Sequence, residues 1–270
     1  MPLPTEKAEI LILGAGFAGA ATAYHRARLG ARGVVIVDRE SSPGLHASGK
    51  NAAMLREISP EPLWEPFLAE GAAFLRRTAG PDTFDCSASG SLLLGMEADL
   101  ARLEPFCVSA RGRGVNPVRW GVAEAASRVP ALAGCGADGA VFTPTDGVVD
   151  IARLLAFYLD GAVKEGARLR FGARATAFER AGDVLRAVKV GDGWIEARRV
   201  VNAAGAWAGE VGRLAGALDP GLSTFRRHIF VTEKMASVAS DWPFVWDIAR
   251  ECYFRPEEGG LLLSPCDQDA

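Results

Sequence analysis

One glycine-rich turn between two apolar segments constrains this chain more than any other feature. Ile10–Leu13 is an apolar run long enough for a buried strand, and Val34–Val37 is a second run that ends at the acid Asp38. Between the runs, three glycines have the spacing G-x-G-x-x-G: Gly14, Gly16 and Gly19. The alanine-rich segment 18–28 after the turn predicts a helix. Strand, turn, helix, strand and acid in this order indicate a βαβ unit that binds a dinucleotide.

Each residue of this motif has a physical role. Gly14 permits the tight turn, Gly16 lacks a Cβ and so lets a pyrophosphate approach the backbone, and Gly19 lets the helix pack against the sheet. The helix N-terminus presents unpaired N–H groups and the positive end of its dipole to the phosphates. Asp38 can accept a hydrogen bond from the ribose 2′-hydroxyl, and its charge disfavours the 2′-phosphate of NADP.

Composition excludes several classes of partner. The 270 residues are 49% hydrophobic, and a net charge of −3 argues against a nucleic-acid or anionic-membrane surface. No apolar segment is long enough to be expected to span a bilayer. The five cysteines are dispersed without metal-binding spacing, which favours a reducing, cytoplasmic location. Neither a metal site nor a Ser-His-Asp arrangement is expected.

The segments after Asp38 alternate between strand and helix signals. Small residues and Ser48 precede a segment, 52–56, that is expected to begin a helix. An amphipathic helix is expected at 63–78, with its aromatic side chains in the core, and a strand at 225–232. Gly191-Asp192-Gly193 between two apolar runs indicates a hairpin. The predicted plan is two interleaved domains, residues 1–85 with 145–217 and residues 86–144 with 218–270.

Several motifs along the chain match one known family in order. They are the glycine turn with Asp38, the G-x-H-x-x-G-x-x-A-A pattern at 44–53, VVNAAGAWA at 200–208, the pair Arg226-Arg227, Asp241-Trp242-Pro243 and Tyr253-Phe254-Arg255-Pro256. Together they resemble the FAD-dependent D-amino-acid oxidase/dehydrogenase superfamily, and within it the D-arginine dehydrogenases. The likeness runs from about Ala8 to the last residue.

This resemblance implies an α/β fold in which a Rossmann-type FAD-binding domain is interleaved with a mixed-sheet α+β substrate domain. FAD would be the cofactor. The positions that match its binding residues are Gly14, Gly16, Gly19, Asp38, Arg39, His46, Ala47, Ser48, Asn51, Ala52, Ala53, Ala175, Ala204, Gly205 and Trp207.

The resemblance also implies the chemistry: oxidation of a D- or N-alkyl amino acid to an imino acid, which water converts to a 2-oxo acid. Arg227 matches the arginine that binds the substrate carboxylate, Tyr253 a tyrosine that assists it, and His46 a residue facing the active site. A bidentate arginine would orient the Cα–H bond toward the flavin. Ser91 stands where D-arginine dehydrogenase has a glutamate for its cationic substrate. A neutral or apolar amino acid is therefore expected.

Two alternatives remain open. A carboxylate-binding arginine suits a 2-hydroxy acid as well as an amino acid, so the same fold could be a 2-hydroxy-acid dehydrogenase. The chain also ends earlier than the members of this family. It could therefore be a non-catalytic fragment or a subunit whose flavin site is completed by a partner chain or a further C-terminal segment.

Overall fold

The computed structural model describes residues 6–59 and 61–269. The chain forms two compact units, each built from two separate segments. The first unit is Met1–Asn51 with Ile151–Thr224, and the second is Ala52–Asp150 with Phe225–Ala270. The interleaved plan expected from the sequence is therefore present.

The boundaries of these units differ from the expected domain boundaries. Residues 52–85 and 145–150 lie in the second unit, and residues 218–224 lie in the first. The reason is strand pairing inside the second unit, where Met54 pairs with Val148 and Cys86 pairs with Val149. The assignment of one unit to the cofactor and the other to the substrate stays a prediction.

The secondary structure is mixed α/β, as predicted. The strands are β1 (Glu6–Leu13), β2 (Val34–Val37), β3 (Met54–Leu55), β4 (Cys86–Ser87), β5 (Ser91–Gly95), β6 (Val118–Gly121), β7 (Gly139–Thr143), β8 (Gly147–Val149), β9 (Arg168–Arg170), β10 (Ala175–Ala181), β11 (Val184–Val190), β12 (Gly193–Asn202), β13 (Phe230–Val231), β14 (Phe244–Asp247), β15 (Cys252–Glu257) and β16 (Gly260–Ser264). The α-helices are α1 (Phe17–Arg28), α2 (Glu65–Thr78), α3 (Glu97–Arg111), α4 (Val122–Arg128), α5 (Ile151–Lys164) and α6 (Ala208–Leu214). Among the described residues, no helix combines the length and the apolar character that crossing a membrane requires.

The first unit is organised around a six-stranded sheet with the order β10-β11-β12-β1-β2-β9. Strands β12, β1, β2 and β9 are parallel, while β10, β11 and β12 form an antiparallel meander through the predicted hairpin. Leu11, Val35 and Ile195 lie in the core of this sheet. Helices α1 and α5 pack together, and the rings of Tyr24 and Tyr158 meet edge to face at 5.4 Å.

The second unit contains a seven-stranded mixed sheet with the order β13-β16-β15-β14-β5-β7-β6, and a three-stranded sheet with the order β3-β8-β4. Leu93 and Val141 of the larger sheet pack with Leu103 of α3 in one apolar cluster. Leu92 and Val245 belong to a second cluster together with residues of α4. Alternating strand residues therefore build two cores.

The prediction that a helix begins at 52–56 is wrong. Ala53 has a positive φ of 58°, and its carbonyl accepts a hydrogen bond from the Val149 amide at 2.8 Å. Met54 and Leu55 then form β3, which pairs with β8. Pairing with a segment almost a hundred positions later overrides the local helix signal.

Two other expectations fail in the second unit. The strand expected at 225–232 is reduced to β13, and Arg226 makes only an isolated bridge to Asp269. The aromatic side chains of segment 63–78 were expected in the core, but Trp64 and Phe67 are 56% and 66% exposed. Ala72 is the buried residue of this helix. The helical period was therefore read correctly, but its apolar face is not covered within the described residues.

The contact between Gly19 and the glycine turn predicts a sharp stability effect. A Cβ at Gly19 would lie 1.8 Å from the Gly14 carbonyl oxygen, a backbone atom that cannot move without distorting the turn. Gly19→Ala is expected to lower the free energy of unfolding by about 3 kcal/mol or more, measured by urea denaturation. Gly209→Ala in α6 is the matched control, because its Cβ would meet only the end of the flexible Arg213 side chain at 3.7 Å. Equal stability of the two variants would contradict this packing.

Candidate functional site

The parallel strands of the first unit end together and form one edge. The last residue of β1, Leu13, pairs with Val37 of β2 and with Asn202 of β12. The residues just past these ends are joined by backbone hydrogen bonds: the Gly14 amide donates to the Val37 carbonyl at 2.8 Å, and the Ala203 amide to the Leu13 carbonyl at 2.9 Å. Ligands of open α/β sheets bind at this edge, so it is the candidate cofactor site.

The three motif glycines occupy positions where a side chain would collide. Gly14 has φ +110°, and a Cβ there would lie 2.3 Å from the Ala203 carbonyl oxygen. A Cβ on Gly16 would lie 2.8 Å from the Ser48 Oγ. The backbone of the turn therefore contacts both the segment after β12 and the segment that carries Ser48, which ordinary side chains would prevent.

Ser48 serves α1 rather than a second helix. Its Oγ accepts the Phe17 amide of the first helical residue at 3.0 Å, while the N-cap residue, Gly16, offers no side chain. The segment around Ser48 is held by Asn51, whose side-chain amide donates to the carbonyls of Ala47 at 3.0 Å and Ser48 at 3.2 Å. The predicted residues Ala47, Ser48 and Asn51 thus lie against the start of α1.

Asp38 lies directly after β2, and its carboxylate spans the edge. The Ala15 amide donates to Oδ2 at 2.7 Å and the Glu40 amide donates to Oδ1 at 2.9 Å. A carboxylate offers about four lone-pair sites, so two amide bonds leave acceptor capacity for a hydroxyl group. The Asp38 carbonyl also accepts the Ala173 amide at 2.7 Å. That contact brings the segment leading to Ala175, the first residue of β10, alongside Asp38.

A cluster of four side chains lies next to Asp38. The guanidinium of Arg39 stacks over the Trp207 ring with 3.6 Å to its centroid, and the His46 ring meets the same indole edge to face at 4.7 Å. Glu40 joins the two, with its Oε1 2.9 Å from Arg39 Nε and 2.9 Å from His46 Nε2. These contacts, that with His46 first, hold the pKa of Glu40 below its usual value. Arg39, His46 and Trp207 were predicted as site residues, whereas Glu40 was missed.

The small-residue turn after β12 completes this edge. The Ala204 amide donates to the Asn202 side-chain oxygen at 3.3 Å. Gly205 follows with a positive φ of 54°. A short helical turn at Gly205–Trp207 then leads into α6. This geometry brings Trp207 back to the cluster around Glu40.

The first-unit residues fit the diphosphate and ribose of a dinucleotide. Helix α1 begins after a glycine, has no acid in its first turn and carries basic residues in its last turn. Its N-terminus therefore favours an anion. The Cβ-free turn lets an anion approach the backbone, and Asp38 offers a hydroxyl acceptor beside it. The binding roles of individual residues, including Ala52 and Ala53 in the second unit, stay predictions.

Arg227 and Tyr253 are near one another in the second unit. Tyr253 lies on β15 and pairs with Trp246 of β14 and with Ser264 of β16. Burial raises the pKa of the Tyr253 hydroxyl, while the neighbouring Ser264 hydroxyl and the charge of Arg227 oppose this rise. Arg227 itself is exposed, and so is Arg226. Neither lies on a strand, so the alternation of side chains between the two faces of a strand does not distinguish Arg226 from Arg227.

Ser91, expected in the substrate pocket, is fully buried. Its hydroxyl donates to Asp146 Oδ2 at 2.6 Å, and the Glu57 amide donates to the other oxygen of Asp146 at 2.9 Å. The Glu57 carboxylate is paired with Arg76, whose NH1 lies 3.0 Å from Oε1. Burial, reinforced by the charge of Glu57, raises the pKa of Asp146 to about 7. Apart from the turn that contains Asp146, no sequence pattern indicates this network.

The sheet edge, the glycine turn and the acid after β2 together define a dinucleotide-binding protein. The model of the family described as FAD dependent oxidoreductase, DAO, matches residues 9–270. The chain belongs to this family, and FAD is therefore its cofactor. The resemblance to the amino-acid oxidase superfamily and the predicted FAD are confirmed.

Known proteins resemble this chain over nearly its whole length. Mitochondrial sarcosine dehydrogenase of Mus musculus is 27% identical, and the match covers 97% of this chain and 29% of that protein. The crystal structure of L-proline dehydrogenase from P. horikoshii has a TM-score of 0.82 at 19% identity, covering 97% of this chain and 70% of that one. Iminodiacetate oxidase from Chelativorans sp. BNC1 has a TM-score of 0.71 at 27% identity, covering 96% and 72%. This chain thus spans about three tenths of the length of the sarcosine dehydrogenase it matches.

The pKa of Asp146 predicts an unusual pH dependence of stability. The unfolded carboxyl loses its proton near 3.8, but the folded one keeps it up to about 7. The free energy of unfolding therefore falls as the pH rises through this window, by on the order of 3 kcal/mol. In Asp146→Asn this contribution is expected to vanish. Urea unfolding at about pH 5 and about pH 7.5 measures it.

The control for this comparison is Asp82→Asn, because Asp82 is exposed. That variant is expected to keep the wild-type difference between the two pH values. The same difference in Asp146→Asn as in the wild type would show that Asp146 does not carry the proton.

Proposed function

We propose that this chain carries the flavin-binding and substrate-binding parts of an oxidoreductase that acts on the CH–NH group of an amino acid, with an N-alkyl amino acid as the favoured substrate. The first unit would hold FAD and the second the substrate. The observation that carries the proposal is that the charge of Arg227 acts on the half-buried phenol of Tyr253 in a chain of the FAD-dependent family. A guanidinium beside a phenol offers two kinds of donor for one carboxylate.

The relatives support the choice of an N-alkyl amino acid. Sarcosine and iminodiacetate, named in two of the matches, are both glycines substituted on nitrogen. Each retains a carboxylate next to the carbon that bears the nitrogen. One clamp for that carboxylate therefore serves both.

The reaction balances as a two-electron oxidation. A carbon next to the nitrogen loses a hydride and the nitrogen loses a proton, which leaves an imine. Bound FAD supplies the hydride acceptor. Water then adds to the imine and releases a carbonyl compound and an amine.

The residues of this chain would bind the substrate and orient it toward the cofactor. Arg227 would grip the carboxylate with two parallel N–H bonds, and this fixes the direction of the reacting C–H bond. Tyr253 would donate its hydroxyl to the same carboxylate, and its raised pKa keeps the proton in place at neutral pH. His46, whose Nε2 contacts Glu40, would orient the segment beside Asp38. We assign it a positioning role.

A cytoplasmic location is also proposed. All five cysteines are free, which favours a reducing compartment. Fractionation of cells that express the chain tests this, and recovery in an oxidising compartment would contradict it.

Anaerobic flavin reduction tests the proposed function. The purified chain is loaded with FAD, freed of excess by gel filtration and mixed with sarcosine, D-alanine, L-alanine or lactate. Bleaching of the visible flavin band by sarcosine is the expected result. Bleaching by lactate alone would favour a 2-hydroxy-acid dehydrogenase. A chain that retains flavin but is reduced by no compound of the panel would sink the proposal.

The two adjacent arginines offer a matched comparison. Arg227→Met is expected to lower kcat/KM for flavin reduction by about 10- to 100-fold, because a charge-assisted hydrogen bond to the carboxylate is lost. Arg226→Met removes the same charge one residue away and is expected to change it by less than about threefold. Equal losses would indicate a general effect of surface charge instead of a carboxylate clamp.

A further inference from the structure

Arg56 is a second cation beside the candidate substrate residues. It follows β3 directly, and its guanidinium lies over the indole of Trp246 with 4.7 Å to the ring centroid. Stacking on an indole holds the plane of the guanidinium while its edge N–H groups stay available.

The donors of Arg56 are unused. Its side chain is partly buried and lies over the Trp246 ring, and within residues 6–59 and 61–269 it makes neither a hydrogen bond nor an ion pair. Other arginines of this unit have partners: the exposed Arg76 pairs with Glu57, and the buried Arg255 donates to the Ala52 carbonyl at 2.8 Å. A desolvated guanidinium with free donors is costly unless an anion binds it.

Charge compensation inside the protein does not account for Arg56. The charge of Asp146 acts on Arg56, but both oxygens of Asp146 already accept hydrogen bonds, from Ser91 and from the Glu57 amide. Burial raises the pKa of Asp146 to about 7, so this carboxyl holds only part of a negative charge near neutral pH. Glu57 in turn has Arg76 as its partner.

Arg56 is also close to Tyr253. Trp246 and Tyr253 are directly paired neighbours on β14 and β15, and their ring centroids are 5.8 Å apart. Directly paired residues point to the same face of a sheet. Arg56 therefore approaches the Trp246–Tyr253 pair, and the charge of Arg227 acts on the same tyrosine.

We propose that Arg56 binds a second carboxylate of the substrate, so that the substrate is a dicarboxylic secondary amine or amino acid, such as an N-carboxymethyl amino acid. This rests on the proposed function, in which Arg227 binds the first carboxylate. Arg56 would repel a cationic side chain, which agrees with the expectation that the substrate is not strongly basic. The proposal differs from the expectation from sequence, because it favours an acidic substrate over a neutral or apolar one.

Two thioethers that cannot be oxidised as amines test the inference by binding alone. Thiodiacetate carries two carboxylates, and (methylthio)acetate is its counterpart with one. Titration calorimetry with the FAD-loaded chain is expected to give a dissociation constant for thiodiacetate about 10- to 100-fold lower than for (methylthio)acetate. In Arg56→Met this preference is expected to fall below about threefold, while binding of (methylthio)acetate stays unchanged.

Two further variants keep the result interpretable. Arg102→Met removes an exposed arginine on α3 and is expected to retain the full preference. Arg56→Lys keeps the charge but loses the planar fork, so an intermediate preference is expected. It also replaces Arg56→Met if that variant does not fold. Equal binding of the two thioethers by the wild type, or an unchanged preference in Arg56→Met, overturns the inference.

The flavin assay separates this inference from the proposed function. If sarcosine reduces the flavin while the two thioethers bind equally, the proposed function is supported and the proposed role of Arg56 is contradicted. If no amine reduces the flavin but Arg56→Met abolishes the preference for thiodiacetate, the second carboxylate site stands and the proposed function falls.

Discussion

The hydrogen bond from the Ala15 amide to the Asp38 carboxylate ties together the elements on which the first unit depends. It joins the glycine turn after β1 to the end of β2, and so fixes the edge where both strands stop. The start of α1 is set by the same turn, and Ser48 reaches its first amide from another segment. An anion-binding helix terminus and a hydroxyl acceptor are thereby held a few bonds apart. The candidate cofactor edge thus depends on one carboxylate, which holds the turn in place and keeps acceptor capacity for a hydroxyl group.

The features predicted correctly from sequence are those with local causes. The turn glycines, the β1–α1–β2 order and the hairpin between β11 and β12 follow from residue type and spacing within about thirty positions. The incorrect predictions concern segments whose secondary structure is determined by pairing with distant parts of the chain. Met54 and Leu55 form a strand because β8 lies beside them, and the residues around Arg227 lie outside the sheet, where Arg226 makes an isolated bridge to Asp269.

The candidate site divides in the same way. Arg39, His46 and Trp207 were identified by resemblance, but Glu40, which connects two of them, carries no motif. No sequence motif marks Arg56 or Asp146 either, because their properties depend on burial and on the neighbouring side chains in the folded chain. Arg56 becomes notable only in the structure, where its guanidinium stacks on an indole. An aspartate in a turn is ordinary until burial leaves it half-protonated at neutral pH.

The parallel pairing of β1 with β12 has a consequence for biosynthesis. The partner of Glu6 is Ile195, so β1 is synthesised long before β12, and the sheet of the first unit can close only after both have been translated. The apolar β1 and β2 are exposed during this interval, while the second unit is still lacking its own C-terminal strands. Long-range parallel pairing of this kind slows folding and exposes strand edges to aggregation. We therefore expect the yield of folded chain to depend on translation speed and chaperone supply as well as on the stability of the folded state.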